Sequence, residues 1–234
     1  MRLHAARRAT RMTESSRGRF ITLEGGEGAG KSVQARRLEE RLAALGLEVV
    51  RTREPGGSKL AEDLRQALLS GLGAPFGSKE EALLFAAARL DHVDKTIRPA
   101  LNRGQWVVSD RFSDSTRAYQ GAAGDLPASY IDRLEEIAVG RNNPDLTFVL
   151  DVAPEVGLRR AAARRKGRGG PDRFEREGLS FHRTLRRAFL DIAAAEPVRC
   201  AVIDAQGPEE HVAAAVWSVV VARLDPARAR AKIP

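Results

Sequence analysis

The stretch Gly25-Gly26-Glu27-Gly28-Ala29-Gly30-Lys31-Ser32 decides the fold of this chain. It matches G-x-x-x-x-G-K-[ST], the phosphate-binding loop. Residues 19–24 before it are typical of a strand and residues 32–45 after it of a helix, which is the context that the motif requires. In such a loop, backbone N–H groups and the helix N-terminus point at phosphate oxygens, a lysine reaches the β- and γ-phosphates and a hydroxyl binds Mg²⁺. The stretch therefore predicts a nucleoside triphosphate site.

Strands and helices alternate along the rest of the sequence. Four further apolar runs are typical of strands, at residues 49–50, 106–108, 146–151 and 201–203. Segments with helical periodicity separate them. This alternation predicts an α/β fold of the P-loop NTPase type, a three-layer sandwich in which helices cover both faces of a five-stranded parallel sheet.

A long helix is predicted to begin at Ser78. Ser78 and Glu81 have the spacing of a capping box, with Ser78 as the cap and Glu81 reaching back to it. Leu83, Leu90 and Ile97 recur every seven residues, and we expect them to mark the buried side of this helix. Pro99 is expected to kink the helix near its end.

Length and charge indicate one domain with a small lid. The chain has 234 residues and a formal net charge of +8, and residues 1–18 hold five arginines and one glutamate. We interpret residues 1–18 as a disordered basic extension; a transit peptide has a similar composition, and Met12 is an alternative initiator. The folded domain is expected at 19–225, its lid at about 160–175 and a frayed tail at 226–234. The single cysteine, Cys200, excludes an intrachain disulfide and lies in a strand-like run typical of a core.

Charged residues stand at the carboxyl ends of the predicted strands, where ligands of parallel sheets bind. They are Glu24, Arg53-Glu54, Asp110-Arg111 and Asp151. Carboxylates beside a triphosphate indicate Mg²⁺ handling, and arginines indicate a second anionic group, because guanidinium binds phosphate bidentately. The sequence thus predicts two phosphate sites.

Five further motifs resemble those of the bacterial thymidylate kinases, in the phosphate-loop nucleoside monophosphate kinase family. In order, they are Thr52-Arg53-Glu54-Pro55-Gly56-Gly57, Phe85-Ala86-Ala87-Ala88-Arg89, Asp110-Arg111-Phe112, Ala118-Tyr119-Gln120-Gly121 and Leu150-Asp151-Val152-Ala153-Pro154. The resemblance covers residues 19–224. It implies a cytoplasmic homodimer that converts ATP and dTMP to ADP and dTDP with Mg²⁺, without a nucleic-acid or membrane partner.

The resemblance also implies a role for each matching residue. Residues 25–32 hold ATP, with Ser32 and Glu24 at the metal. The expected substrate contacts are Arg53, Glu54, Phe85, Arg89, Arg111, Ser115, Thr116, Tyr119 and Gln120. Arg53 and Arg111 bind the dTMP phosphate, Phe85 and Arg89 the thymine, and Tyr119 crowds the 2′ position of the sugar. The residues alone leave simpler interpretations open: Phe85 as core, Arg89 as solvated and Tyr119 as a buried side chain with a satisfied hydroxyl.

The expected catalytic residues are Lys31, Arg111 and an arginine of the lid. Glu27 stands where some family members carry a basic residue, so the resemblance implies that the arginine comes from the lid. Arg164 is the expected catalytic arginine and Arg160 an ATP contact, with Arg173 following nearby. Which of the lid arginines acts stays open, and a solvated helix face is the alternative for this run of charge.

Two other functions remain to be separated from this one. The first is phosphoryl transfer to another nucleoside or nucleoside monophosphate. The second is a nucleotide-dependent switch or a nucleic-acid-associated ATPase that uses the basic extension. No N-K-x-D segment of a guanine-binding GTPase occurs in the chain, and no nucleic-acid recognition motif is visible.

Overall fold

The computed structural model describes residues 17–70, 77–165 and 173–230. Most of the predicted extension, the loop at 71–76, residues 166–172 of the predicted lid and residues 231–234 lie outside the described residues. The strands are β1 (Phe20–Glu24), β2 (Val49–Arg53), β3 (Trp106–Asp110), β4 (Leu146–Asp151) and β5 (Cys200–Asp204). The helices are α1 (Lys31–Ala44), α2 (Lys59–Ser70), α3 (Ser78–His92), α4 (Arg98–Asn102), α5 (Ser113–Thr116), α6 (Ala128–Ala138), α7 (Pro154–Arg165), α8 (Leu179–Ala195), α9 (Glu209–Leu224) and α10 (Pro226–Arg230).

The five strands form one parallel sheet in the order β2-β3-β1-β4-β5. β1 lies at its centre, with Ile21 opposite both Val108 of β3 and Leu146 of β4. The predicted α/β sandwich with a five-stranded parallel sheet is confirmed. The central position of β1 places the phosphate loop, which follows it, in the middle of the carboxyl edge of the sheet.

Alternate residues of β1 pack into different layers. Ile21 and Leu23 belong to a core with Leu42 of α1, on one face of the sheet. Phe20 belongs to a second core with Leu101 of α4, on the other face. Because both faces are covered, β1 is buried along its whole length, as a central parallel strand should be.

The start and the buried side of α3 differ from the prediction. Gly77 is the N-cap, no side chain caps the helix, and Glu81 is buried, so Ser78 and Glu81 do not form a capping box. Leu83 and Leu90 are 49% and 37% exposed, whereas Ile97 is fully buried, so the seven-residue repeat marks the buried side at its last position alone. The inner face of α3 carries small and polar side chains instead, and the small residues Ala82 and Ala86 pack against Ile131 of α6.

Two chain segments near helix ends also differ from expectation. Between α3 and α4, residues Val93–Ile97 form a π-helical turn, so the irregularity lies before Pro99. Such turns occur frequently at functional sites. At the carboxyl end, Pro226–Arg230 form α10, so the frayed tail predicted from residue 226 does not begin there.

The most apolar of the long helices is α9. Val212, Val216 and Val220 lie buried on one side of it, whereas Val221 is 47% exposed. Across the described residues, no helix combines the length and the apolar character needed to cross a membrane.

Candidate active site

A cleft of about 1030 Å³, counted with its open mouth, lies at the carboxyl ends of β1, β2 and β3. Most of the predicted site residues line it: Glu27, Gly28, Gly30, Lys31, Ser32, Arg53, Glu54, Phe85, Arg89, Arg111, Ser115, Thr116, Tyr119, Gln120 and Arg164. Residues that are far apart in the sequence thus meet in one cleft. Glu24, Gly25, Gly26, Ala29 and Arg160 are predicted site residues that do not line it.

The phosphate loop needs glycine for geometric reasons. Gly28 has φ +66°, and a Cβ there would lie 2.0 Å from the carbonyl oxygen of Gly157 on α7. Lys31 folds back over the loop and donates hydrogen bonds to the carbonyls of Gly25 (3.1 Å) and Gly26 (2.8 Å). Burial, followed by the nearby Arg111, lowers the pKa of Lys31 to about 8. The loop therefore presents a desolvated cation on the first turn of α1.

Arg111 joins the phosphate loop to the end of β3. Its φ of +71° is in the left-handed region, which turns the chain sharply after the strand. Its Nη2 donates to Glu27 Oε1 (2.7 Å) and to the Tyr119 hydroxyl (2.9 Å), and its Nη1 donates to the Gly25 carbonyl (3.1 Å). The Tyr119 hydroxyl in turn donates to Glu27 Oε1 (2.7 Å), so this hydroxyl is satisfied within the protein.

The pKa values of Glu27 and Arg111 are both shifted in the direction that favours the charged form. Burial raises the pKa of Glu27, but Arg111 and Lys31 outweigh it, and the net result is a pKa of about 2. Burial lowers the pKa of Arg111, but Tyr119 and Glu27 outweigh it, so the pKa lies above its usual value. Glu27 and Arg111 are therefore both ionised at neutral pH.

Of the carboxylates at the strand ends, Asp110 is the one that meets the loop. Its Oδ2 accepts a hydrogen bond from Ser32 Oγ. A hydroxyl and a carboxylate side by side are ligands that Mg²⁺ prefers, so Ser32 and Asp110 fit this ion. Asp151 is instead held by Arg186, with N–O distances of 2.7 and 2.8 Å.

Glu24 does not fit its predicted role at the metal. The side chain is fully buried, and its two oxygens accept hydrogen bonds from the Phe112 N–H (2.7 Å) and from Ser115 Oγ (2.6 Å). Burial, followed by the charge of Asp114, raises the pKa of Glu24 to about 8. Glu24 thus supports the turn that carries Arg111 instead of facing the cleft.

We call the part of the cleft lined by Phe85, Arg89 and Gln120 the base side, because the resemblance predicts the thymine there. It contains a buried ion pair. Arg89 is 3% exposed, so the solvated interpretation of this residue is wrong. Its Nε donates to Glu54 Oε2 (2.7 Å), and its Nη2 donates to Thr116 Oγ1 (3.0 Å). The other oxygen of Glu54 contacts His92 Nδ1 (3.0 Å). Glu54 therefore orients Arg89, and its carboxylate is occupied by protein groups.

Aromatic side chains form one wall of this side. Phe85 is half-buried at the cleft, and its ring centroid lies 6.5 Å from that of Phe174. Phe174 also packs edge-on against Tyr119, at 5.0 Å. Gln120 lies beside them, and its Nε2 donates to Glu81 Oε2 (3.0 Å). A flat ring with polar edges fits such a wall, because the ring can stack on an aromatic face while its polar edge forms hydrogen bonds with an amide.

A third arginine, which was not predicted from the sequence, lies in the cleft with Arg53 and Arg111. Arg65 of α2 lines the cleft together with Arg53, and its Nη1 donates to the Pro55 carbonyl (2.7 Å). Burial, followed by the charge of Arg53, lowers the pKa of Arg65, which is typical of a cation that lacks a full set of counter-charges. Arg53 itself is held at the mouth by Glu62, at 2.9 and 3.1 Å. The one signal for Arg65 in the sequence is its place on the helix that follows Arg53.

The arginines at the end of α7 take different positions. Arg160 donates to the carbonyls of Ala205 (2.7 Å) and Gln206 (2.6 Å), away from the cleft. Arg165 forms an ion pair with Glu175. Arg164 lines the cleft, is 61% exposed and lies 4.0 Å from Glu175. Among these three, Arg164 is the cation that faces the site and remains loosely held.

Comparison with known proteins agrees with this geometry. A family model described as thymidylate kinase matches residues 23–216. The thymidylate kinase of Nitrobacter winogradskyi is 55% identical over 212 residues, which cover 91% of this chain and 92% of that protein. That of Rhodopseudomonas palustris is 55% identical and covers 94% of this chain and 96% of the relative. The crystal structure of thymidylate kinase from Ehrlichia chaffeensis has a TM-score of 0.69 at 34% identity, covering 87% of this chain and 98% of that one. The chain belongs to the thymidylate kinase family.

Proposed function

We propose that this cleft transfers the terminal phosphoryl group of ATP to the phosphate of dTMP, giving ADP and dTDP. The observation that carries the proposal is the meeting of two anion sites and one base site in a single cleft. The phosphate loop with Lys31 forms the first anion site, and the arginines around Arg111 form the second. The wall at Phe85 and Gln120 forms the base site. A simple ATPase needs the first of these sites alone.

The loop and the first turn of α1 hold the donor. Backbone N–H groups and Lys31 bind the β- and γ-phosphates. Ser32 and Asp110 are the residues that would hold Mg²⁺, which supplies charge neutralisation on the phosphate oxygens when bound. Among the described residues, no group of three or more His, Cys, Asp or Glu side chains could hold a metal. Phosphates and water would therefore complete the coordination of the ion, as is usual for Mg²⁺.

The acceptor binds with its phosphate between Arg53, Arg65 and Arg111 and its base against Phe85. No strong general base is needed, because the attacking phosphate oxygen is already anionic. Catalysis is therefore positioning and charge neutralisation, in which Arg111 aligns the acceptor while Lys31 and Arg164 stabilise the transferred group. Arg164 takes the lid position in this scheme.

The test is an acceptor panel. ADP release from ATP and Mg²⁺ is measured with dTMP, dUMP, dCMP, UMP or no acceptor, and the product is identified as dTDP. We expect release that depends on dTMP, with no activity when Mg²⁺ is chelated. ADP release at the same rate with and without every acceptor would support the phosphate loop but not the acceptor site. That result would favour an ATPase or a switch.

A homodimer formed through α2 and α3 belongs to the same proposal, as does action in the cytoplasm. Leu60, Leu83 and Leu90 are exposed on these two helices, at 49%, 49% and 37%. A groove between the helices is lined by Leu60 together with Asp91 and Lys95, so it offers charges of both signs. A symmetric contact with a second copy can pair such charges and bury the leucines.

Light scattering after size exclusion tests the dimer. Leu83→Asp and Leu90→Asp should give monomers, because each places a charge in the apolar contact. Val198→Asp is the matched control, since Val198 is 90% exposed and lies in neither helix. Dimers that persist in both leucine variants would place the interface elsewhere.

A further inference from the structure

Glu81, in the first turn of α3, holds two parts of the site at once. It is 4% exposed, and the two oxygens of its carboxylate face different partners. Oε2 accepts a hydrogen bond from Gln120 Nε2 (3.0 Å), and Oε1 forms an ion pair with Nη1 of Arg173. Glu81 therefore links Gln120 with Arg173 and does not cap the helix.

The first contact fixes which way the Gln120 amide points. A carboxylate is an acceptor only, so the NH₂ group of Gln120 must face Glu81. Gln120 lines the cleft, and among the described residues its Oε1 accepts no hydrogen bond. This carbonyl is left for a ligand that brings a donor. The ring N3–H of thymine or uracil is such a donor, whereas N3 of cytosine is an acceptor.

The contact of Glu81 with Arg173 connects the base side to the arginines of α7. After Arg173, Phe174 packs against Tyr119 and Phe85. The next residue, Glu175, pairs with Arg165 and lies 4.0 Å from Arg164. Residues 173–175 therefore connect Glu81 to the arginine that faces the transferred phosphoryl group.

We propose that Glu81 is a positioning residue that orients the Gln120 amide for a pyrimidine with a ring N–H and, through Arg173, sets the position of Arg164. The proposal rests on the proposed function of the cleft. It makes one buried carboxylate responsible for rejecting cytosine and for coupling base recognition to phosphoryl transfer. Neither task follows from the local sequence, in which Glu81 resembles a capping residue.

The first test is Glu81→Gln, which removes the acceptor-only character with little change in shape. A glutamine can donate or accept, so the Gln120 amide is free to turn over. Calorimetry without ATP should show that the preference for dTMP over dCMP falls at least about tenfold, the worth of one hydrogen bond. Glu80→Gln, an exposed change in the same helical turn, should keep the wild-type preference.

This readout separates the inference from the proposed function. If wild-type protein binds dTMP but does not phosphorylate it, the proposed function fails while the preference can still be measured. If Glu81→Gln keeps the full wild-type preference, the inference is overturned. Should Glu81→Gln unfold because Arg173 loses its counter-charge, the double variant Glu81→Gln/Arg173→Gln removes both charges of the pair and carries the same test.

The second test addresses the coupling to Arg164. Arg173→Gln should lower kcat with dTMP and leave the binding preference between dTMP and dCMP unchanged. Combined with Arg164→Ala it should lower kcat little further, because both changes act on the same arginine. A purely structural role of Arg173 predicts effects on kcat that multiply, and that outcome would overturn the coupling. Thermal unfolding of each variant checks that the fold is intact.

Discussion

The phosphate side of the cleft is formed mainly by consecutive residues, whereas the base side is assembled from segments far apart in the sequence. Residues 25–32 supply the loop, its lysine and its hydroxyl within one strand–loop–helix unit. The base side takes Phe85 and Arg89 from α3, Gln120 from the π-helical turn Arg117–Ala122 and Phe174 from the segment after α7. Local backbone geometry therefore sets the first side, and tertiary packing sets the second.

The two sides also differ in how their charges are balanced. On the phosphate side, the hydrogen-bond partners of Lys31 within the described part of the chain are two backbone carbonyls, so its positive charge remains available for a triphosphate. On the base side, Arg89 is paired with the buried Glu54 and can contribute hydrogen bonds without a net charge. The two sides of the cleft thus differ in electrostatics, which fits the proposed binding of a charged phosphate on one side and a neutral base on the other. The following predictions test this division, beginning with the largest effect.

Lys31→Ala should remove nearly all turnover, by about a thousandfold or more, because it deletes the cation that stabilises the transferred group. The measurement is dTMP-dependent ADP release at saturating substrate. Lys79→Ala, at an exposed lysine on α3, is the control for loss of one positive charge. Activity within tenfold of wild type would contradict the assignment of the phosphate side.

Arg111→Ala should lower kcat/KM for dTMP by about a hundredfold and affect the KM for ATP much less. The reason is that Arg111 has the proposed role of aligning the acceptor phosphate, although it also contacts the phosphate loop through Glu27. Thermal unfolding is measured in parallel, because the variant leaves Glu27 buried without its ion pair. Arg111→Lys keeps the charge and serves as the matched variant. Equal losses for both substrates would show that Arg111 mainly supports the loop.

The sequence located the phosphate loop between β1 and α1 for the same reason that the two sides differ. A glycine-rich loop between a strand and a helix has one local geometry, so its residues could be located without the rest of the fold. Glu81 shows the opposite case, because a spacing typical of a helix cap was overridden by contacts with Gln120 and Arg173. Leu83 and Leu90 repeat as core residues do, yet α3 turns its polar face toward the cleft.

Contacts between side chains that are distant in the sequence could not be predicted from local patterns. Arg65 carries no motif of its own and becomes visible only when α2 packs beside the end of β2. Asp110 was identified at its strand end, but its contact with Ser32 depends on the pairing of β1 with β3. Glu24 has the same strand-end position and points away from the cleft, a difference that spacing cannot reveal.

Phe85→Ala should weaken the base side alone. Stacking of a base on an aromatic ring contributes about 1–3 kcal/mol, so the KM for dTMP should rise roughly tenfold or more while the KM for ATP stays near its wild-type value. Ile137→Ala, which truncates a 69% exposed side chain on α6, is the control. A variant that unfolds at lower temperature but keeps its KM for dTMP would show that Phe85 serves the core and not the substrate.

The smallest effect concerns Glu24, which supports the phosphate side from behind. Its pKa is raised to about 8 from 4.5, so between these values the folded state holds a proton that the unfolded state has released. The contribution of Glu24 to stability is therefore complete below about pH 4.5 and is lost as the pH rises through about 8. In Glu24→Gln, a neutral amide replaces the carboxyl group and removes this loss. We expect the unfolding temperature of wild type, relative to that of Glu24→Gln, to fall between pH 5 and pH 9. Glu136→Gln, on the exposed face of α6, controls for the loss of a surface carboxylate. A relative unfolding temperature that stays constant over this range would mean that the pKa of Glu24 is not raised and that its carboxylate is ionised in the fold.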